Sequence, residues 1–134
     1  MRSIHVSVVV ARSPEDAYAF ARAPENLPRW AAGLASGALT HEDDDIVVDS
    51  PMGRVRVRFA PPNAYGVLDH DVTLPSGEVV ANPLRVLAHP DGAEVLFTVR
   101  QRDLTDDELD RDVAAVRGDL ERLRTLLEGG PEQP

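Results

Sequence analysis

TDDELDRDVAAVRGDLERLRTLLEGGP, residues 105–131, has the pattern of one long amphipathic helix. Thr105 and Glu108 stand at capping-box spacing, where the threonine hydroxyl accepts from the amide three residues on and the glutamate reaches back to the threonine amide. Gly129-Gly130-Pro131 gives the stop, because glycine tolerates the left-handed backbone past a helix end and proline cannot continue the ladder. Between these signals Leu109, Val113, Val116, Leu120, Leu123 and Leu127 recur at steps of four and three, forming one apolar stripe. The helix is roughly 35 Å long at 1.5 Å per residue. Asp112, Arg117, Asp119, Arg122 and Glu128 fall on the solvated face, and Gly118, opposite the stripe, lets the helix bend. Such a stripe is stable in water only against an apolar surface of comparable length, which the rest of the chain has to supply.

The surface it supplies is a sheet. Strands are predicted at 37–40, 45–50, 54–60, 66–74, 78–88 and 93–101. Asp43-Asp44-Asp45, Pro51-Met52-Gly53, Pro61-Pro62-Asn63, Pro75-Ser76-Gly77 and Pro90-Asp91-Gly92 divide them with turn-forming residues. Ahead of them residues 4–10 alternate Ile4, Val6, Val8 and Val10 with His5, Ser7 and Val9, which makes a seventh strand. Ser13-Pro14-Glu15-Asp16 then provides an N-cap serine, a proline at the first helical position and acids in the first turn. That helix is predicted to run to about Arg22, and Pro24-Glu25-Asn26-Leu27-Pro28-Arg29-Trp30 reads as a break and a second short helix. The fold class is α+β. With no internal repeat or linker, residues 1–130 are read as a single domain and 131–134 as a disordered tail.

Composition removes several functions. The formal net charge is −9 and all 14 basic residues are arginine, so the overall field repels a phosphate backbone. Arg54, Arg56 and Arg58 alternate with Val55, Val57 and Phe59 as the wet face of a strand, without an aromatic platform; no nucleic-acid partner is expected. No apolar run approaches the ~20 residues of a membrane span. The N-terminus enters a strand directly and lacks the pattern of a signal peptide, so a cytoplasmic location is expected. There is no cysteine, hence no disulfide or thiolate chemistry. His41-Glu42-Asp43-Asp44-Asp45 is a run of consecutive acids without the glycine of a calcium loop and is read as a solvated hairpin tip. His5 and His89 have no partner at zinc spacing, and Gly129-Gly130 follows a helix instead of opening one. No metal or cofactor is expected.

The order strand, two short helices, strands, long helix coincides with residues that look familiar. Val6 to Trp30, with Ser13-Pro14-Glu15-Asp16-Ala17-Tyr18 and Pro24-Glu25-Asn26-Leu27-Pro28-Arg29-Trp30, resembles the opening of START-like, polyketide-cyclase/dehydrase (SRPBCC) proteins. Asp49-Ser50-Pro51-Met52-Gly53, Gly66-Val67-Leu68-Asp69-His70 and Asn82-Pro83-Leu84-Arg85-Val86 resemble a small bacterial branch of that superfamily. The resemblance implies a helix-grip fold, in which a curved antiparallel seven-stranded sheet wraps around the long C-terminal helix and leaves a cavity between them. With 4% aromatic residues, a modest and mainly aliphatic cavity is expected. Members of the superfamily include ligand carriers, cyclases, aromatases and co-chaperones, so the fold alone does not choose. The expectation is an apolar, lipid- or polyketide-like small-molecule ligand. A cyclase, aromatase or dehydratase is the alternative and a co-chaperone-like protein contact the third, with a monomer and a homodimer both open.

One turn fixes which polar groups face that cavity. Proline, serine and glycine at 75–77 suit a three-residue hairpin with a glycine bulge, so Leu74 pairs with Glu78. Counting back places Val72 opposite Val80, His70 opposite Asn82 and Leu68 opposite Leu84, all on the apolar face, with Asp69 and Asp71 outward. His70 and Asn82 are then cross-strand neighbours. They form either a self-contained buried pair or a polar centre for a ligand oxygen, with His70 the candidate acid–base if there is catalysis. Pro83 marks an edge or a bulge in this strand. Trp30 and Tyr18 are core residues or reach the cavity mouth, where Arg29 is a candidate guard. Ser50, Met52 and Phe59 are expected along the wall with Leu68, Leu84, Val116 and Leu120, and no base stands near Ser50 to make it a nucleophile.

Overall fold

Alternation and capping become structure much as the side chains dictate. A computed structural model describes residues 1–31 and 39–129. Strand β1, Ser3–Val10, buries Val6, Val8 and Val10 and exposes the residues between them. Helix α1, Pro14–Arg22, starts where the Ser13 hydroxyl accepts from the Asp16 amide at 3.1 Å. A 3₁₀ turn over Pro24–Asn26 leads into α2, Leu27–Trp30. Strands β2 (Leu39–Glu42), β3 (Asp45–Ser50) and β4 (Gly53–Phe59) follow. They are succeeded by β5 (His70–Thr73), β6 (Val79–Asn82), β7 (Leu84–His89), β8 (Gly92–Arg100) and helix α3, Asp106–Gly129. The first expected meander strand began at residue 37, and its first two residues lie outside the described ones.

The expected continuous seven-stranded sheet is corrected to two antiparallel sheets among the described residues, of order β1-β8-β7 and β2-β3-β4-β5-β6. Both predicted strands of the 66–88 hairpin are interrupted, at Asp69 and at Pro83. The register nevertheless runs through. His70 pairs with Asn82 and Val72 with Val80, while beyond the gap Val67 bridges Arg85 and the Leu68 amide donates to the Leu84 carbonyl at 2.8 Å. Proline has no amide to give a ladder. Opposite it, the Asp69 side chain substitutes for a strand partner: Oδ1 accepts from the Leu84 amide at 2.9 Å and from Arg85 Nε at 2.8 Å, and Oδ2 from Arg85 Nη2 at 2.6 Å. At Gly66 (φ +74°) the chain runs so close to β7 that a Cβ would lie 2.1 Å from the Val86 carbonyl oxygen.

Helix α3 packs on β1, β8 and α2 and is tied down at each end. Its capping box is formed: the Thr105 amide donates to Glu108 Oε1 at 2.8 Å and the Glu108 amide to Thr105 Oγ1 at 3.1 Å. At the far end Arg12 Nη1 donates to the Leu127 carbonyl at 2.7 Å, and the Ala11 amide to Glu128 Oε2 at 2.9 Å. Leu109, Leu120, Leu123 and Leu127 are buried, whereas Val113 and Val116, expected to be as deep, are only half-buried. Val116 borders a cavity where the sheet stands away from the helix.

The acidic hairpin is more than a solvated tip. Asp45 is buried, with Oδ1 accepting from Arg58 Nε at 2.5 Å and Oδ2 from Arg56 Nη1 at 3.2 Å, while Arg56 Nη2 also donates to Glu42 at 2.8 Å. The bond from Arg58, followed by that from Arg56, holds the Asp45 carboxyl below its ordinary range against the cost of burial.

Leu120→Ala is expected to destabilise the protein by about 2–5 kcal/mol in urea unfolding, the range for a large-to-small core change. Asp69 is held below its usual carboxylate range chiefly by Arg85, with the Leu84 amide adding and burial opposing. Its stabilisation is therefore complete above the unfolded value near ~3.9 and lost as pH falls through the depressed folded one. Asp69→Ala should cost about 1 kcal/mol or somewhat more at neutral pH, the half-exposed ion pair being screened, and the gap from the parent protein should narrow in acid.

Candidate functional site

A cavity of about 340 Å³ lies under the middle of α3, from Asp112 to Leu120, in the wedge where β6 and the end of β8 diverge beyond Pro83. Where the two part, the Thr98 amide of β8 donates to the Pro83 carbonyl just after β6 at 3.0 Å. The walls come from Val72 on β5, Val80 on β6, Phe97 and Val99 on β8, Leu120 on α3 and Trp30 on α2. His70 and Asn82 are the polar residues of the inner wall, delivered side by side by their cross-strand register.

His70 is only 6% exposed. Its ring lies 4.9 Å from that of Phe59 and 6.0 Å, edge-on, from that of Phe97, so two aromatic rings flank it within a lining that is otherwise mainly aliphatic, as expected. Nδ1 lies 3.0 Å from the carbonyl oxygen of Leu68. A carbonyl only accepts, so Nδ1 carries the proton, and in the neutral ring Nε2 is a bare acceptor on the far side from the strand. Burial pushes the His70 pKa down, outweighing the opposing pull of the Leu68 carbonyl and of Asp69 and Asp71. The ring is neutral at pH 7. No hydrogen bond joins His70 to Asn82, and among the described residues neither His70 Nε2 nor the Asn82 carboxamide has a hydrogen-bond partner. The two are neighbours without being a self-contained pair.

Charge is confined to the rim. Arg102, at φ +52° just beyond β8, donates through Nη1 to Glu78 at 3.4 Å and so spans from the end of β8 to the start of β6. Asp112 and Asp119 of α3 also border the opening, Asp119 with Arg122 as a partner. On the outer face of the sheet His70 and Asn82 border a second depression of about 370 Å³, whose walls include the charged Arg58, Asp69 and Asp71.

Of the residues expected to meet a ligand, His70, Asn82, Trp30, Met52, Phe59, Val116 and Leu120 border the inner cavity. Tyr18 does not: its hydroxyl accepts from the Asn63 amide at 3.1 Å and ties α1 to the loop before β5. Ser50 is used by its own turn, donating to the Gly53 carbonyl at 2.8 Å and accepting from the Met52 amide at 3.0 Å. Leu68 and Leu84 lie wholly in the core, below the break and away from the wall. Arg29 donates to Asn26 at 3.1 Å and stacks over Phe20 instead of guarding the mouth. Phe97 and Val99 were not anticipated as wall residues. The period-two run Ala93, Val95, Phe97, Val99 marks their inward face, but only the sheet topology brings them beside His70. Arg102, Asp112 and Asp119 carry no sequence signal for a rim. Among the described residues no cluster of three or more His, Asp or Glu side chains is arranged to hold a metal, and no helix is long and apolar enough to cross a membrane.

No family model matches this chain, and no curated protein matches it. Solved structures do. The Aha1 dimer from Colwellia psychrerythraea is similar with a TM-score of 0.78 and 15% identity, over 98% of this chain and 99% of that one. DynU16, from the dynemicin biosynthetic locus, gives 0.73 at 15% identity over 96% of this chain and 48% of its own. An uncharacterised protein from Bacillus thuringiensis gives 0.71 at 13% identity, over 93% and 98%. At these identities the likeness is one of fold: the chain shares with these structures a helix-grip architecture of antiparallel sheet and long C-terminal helix.

Because the folded state depresses the His70 pKa, the unfolded chain binds more protons around pH 6. Stability from this site is complete above the unfolded value near ~6.5 and falls as pH drops toward the folded one. His70→Phe should flatten that segment of the stability-against-pH curve, and a ¹⁵N titration should show the His70 ring protonating below ordinary histidines.

Proposed function

We propose that this chain binds an apolar small molecule in the cavity between α3 and the β5–β6 wing, with His70 and Asn82 orienting its polar end. One observation carries the reading: a cavity of about 340 Å³ with largely apolar walls holds two inward polar groups, those of His70 and Asn82, that the described residues leave without hydrogen-bond partners, and the buried indole Nε1 of Trp30 in its wall has none either. Ligand sites typically enclose roughly 300–1,000 Å³ of apolar space with a few convergent polar groups, and this one is at the small end. Buried polar atoms normally find partners within the protein, and where they do not a ligand or water is the usual recipient. The outer depression is the poorer candidate, since its Arg58 is already paired with Asp45 and its Asp69 with Arg85. Residues 1–130 act as one domain in this reading, and neither a metal nor a cofactor is required.

Catalysis is the second reading, favoured by the bare Nε2 of a neutral histidine in apolar surroundings and by the likeness to DynU16 from a biosynthetic locus. A cyclase or dehydratase would use Nε2 to take a proton. Against it, Nδ1 is held by a carbonyl and not a carboxylate, so the imidazolium that such a step creates has only a neutral acceptor in hydrogen-bond reach, too little to offset its burial.

Trp30 is the sole tryptophan of the chain and lies in the wall, so its fluorescence reports occupancy directly. Titration with 2-methoxynaphthalene should change it saturably. Val116→Phe, which places a ring in the open space, should weaken binding about tenfold while shifting the unfolding midpoint little. Saturable binding that ignores this substitution would locate the ligand elsewhere. Native mass spectrometry of the freshly purified protein should carry the mass of a bound apolar compound.

A further inference from the structure

The inner wall is asymmetric in what it can give and take. His70 Nδ1 is committed to the Leu68 carbonyl at 3.0 Å, which leaves Nε2 as an acceptor alone. The Asn82 carboxamide, directly across the strand pair, offers both a donor and an acceptor. Resting on the cavity reading above, we propose that the ligand carries a hydroxyl at its inner end, phenolic or alcoholic, whose proton goes to His70 Nε2 while its oxygen accepts from the Asn82 amide.

A hydroxyl both donates and accepts from one atom, as this pair of groups demands. A carbonyl or an ether only accepts: it satisfies Asn82 but covers Nε2 without giving it a donor, so that atom loses its hydration with nothing in exchange. A carboxylate fits worse still. Arg102 is the only cation bordering the cavity among the described residues, it sits at the rim, and it is already paired with Glu78, while Asp112 and Asp119 border the same opening. No positive charge offsets a carboxylate buried beside a neutral imidazole. The aromatic rings of Phe59 and Phe97 beside His70 and the indole of Trp30 in the wall favour a flat, unsaturated body next to the hydroxyl.

Three probes of one shape separate the cases: 2-naphthol, 2-methoxynaphthalene and 2-naphthoate, titrated into the full chain at neutral pH and read by Trp30 fluorescence and calorimetry. 2-Naphthol should bind about tenfold more tightly than the ether, and naphthoate more weakly than either. In His70→Phe the naphthol preference should fall to near unity with the ether's affinity retained. In the parent protein, long-range ¹H–¹⁵N spectra should show the His70 Nδ1–H tautomer, and the bare Nε2 resonance should move upfield with naphthol and stay put with the ether. Equal affinities for alcohol and ether, or an Nε2–H tautomer in the free protein, overturn this inference and leave the cavity reading standing. Failure of all three probes to bind overturns both. The comparison within the parent protein decides the matter even if the variant does not fold.

Discussion

The carboxylate of Asp69 carries a geometry that neither sheet can make alone. Pro83 removes the amide that would have continued the ladder, and Asp69 takes the next amide, that of Leu84, into its own side chain while pairing with Arg85. The hairpin keeps one register across the interruption while its two halves join different sheets. A continuous ladder would twist smoothly and keep β6 beside β8. The break instead lets β6 swing away from the end of β8, and the cavity fills the opening. His70 and Asn82 are the first residue pair past the break, which is why the polar centre sits at the deep end of the wedge.

Helix α3 is the opposing constraint. It is pinned to β1 through the Arg12 and Ala11 contacts at its C-terminus, and its buried leucines lie on the β1–β8 side. It cannot close down on the β5–β6 wing without giving up that packing. Val116 is left half-buried for this reason, and the protein forgoes about 1–2 kcal/mol of burial at that side chain. An apolar surface kept open at such a cost, with polar atoms left bare at its end, is a poor solution for stability and a good one for a guest. A guest that binds only the folded state returns the missing stabilisation by mass action.

How much of this was legible in the sequence depends on how local the cause is. The capping box at Thr105–Glu108, the serine cap of α1 and the Pro75-Ser76-Gly77 turn each act over a few residues, and each appears in the structure at the expected atoms. Register follows from the turn, so the facing of His70 and Asn82 was readable as well. What was not readable depends on contacts far apart in sequence. Pro83 announced an interruption, but that Asp69 would bridge it depends on a carboxylate 14 residues earlier reaching across the pair, a matter of three-dimensional fit. Leu68 and Leu84 share the inward face with His70 and yet miss the wall, because the alternation gives the face and not the position along the wedge. Ser50 was drawn away by the amide two residues on, and Tyr18 by that of Asn63, 45 residues distant in the chain, which its sequence neighbourhood could not announce.

The same reasoning separates fold from function in this architecture. The stripe on α3, the β1–β8–β7 sheet and the caps set up a helix-grip frame that proteins of 13–15% identity also reach. None of those elements contains the polar centre, which belongs to the hairpin. Its chemistry hangs on one carbonyl: had Nδ1 been free, the ring would choose its tautomer to suit whatever entered, and donors and acceptors would fit alike. With the Leu68 carbonyl holding that proton, the choice is made before any ligand arrives. On the proposed reading, the selectivity of the cavity would originate in the backbone two residues from His70, beside the interruption at Asp69, so that the feature that opens the wedge would also fix what its deepest group asks for.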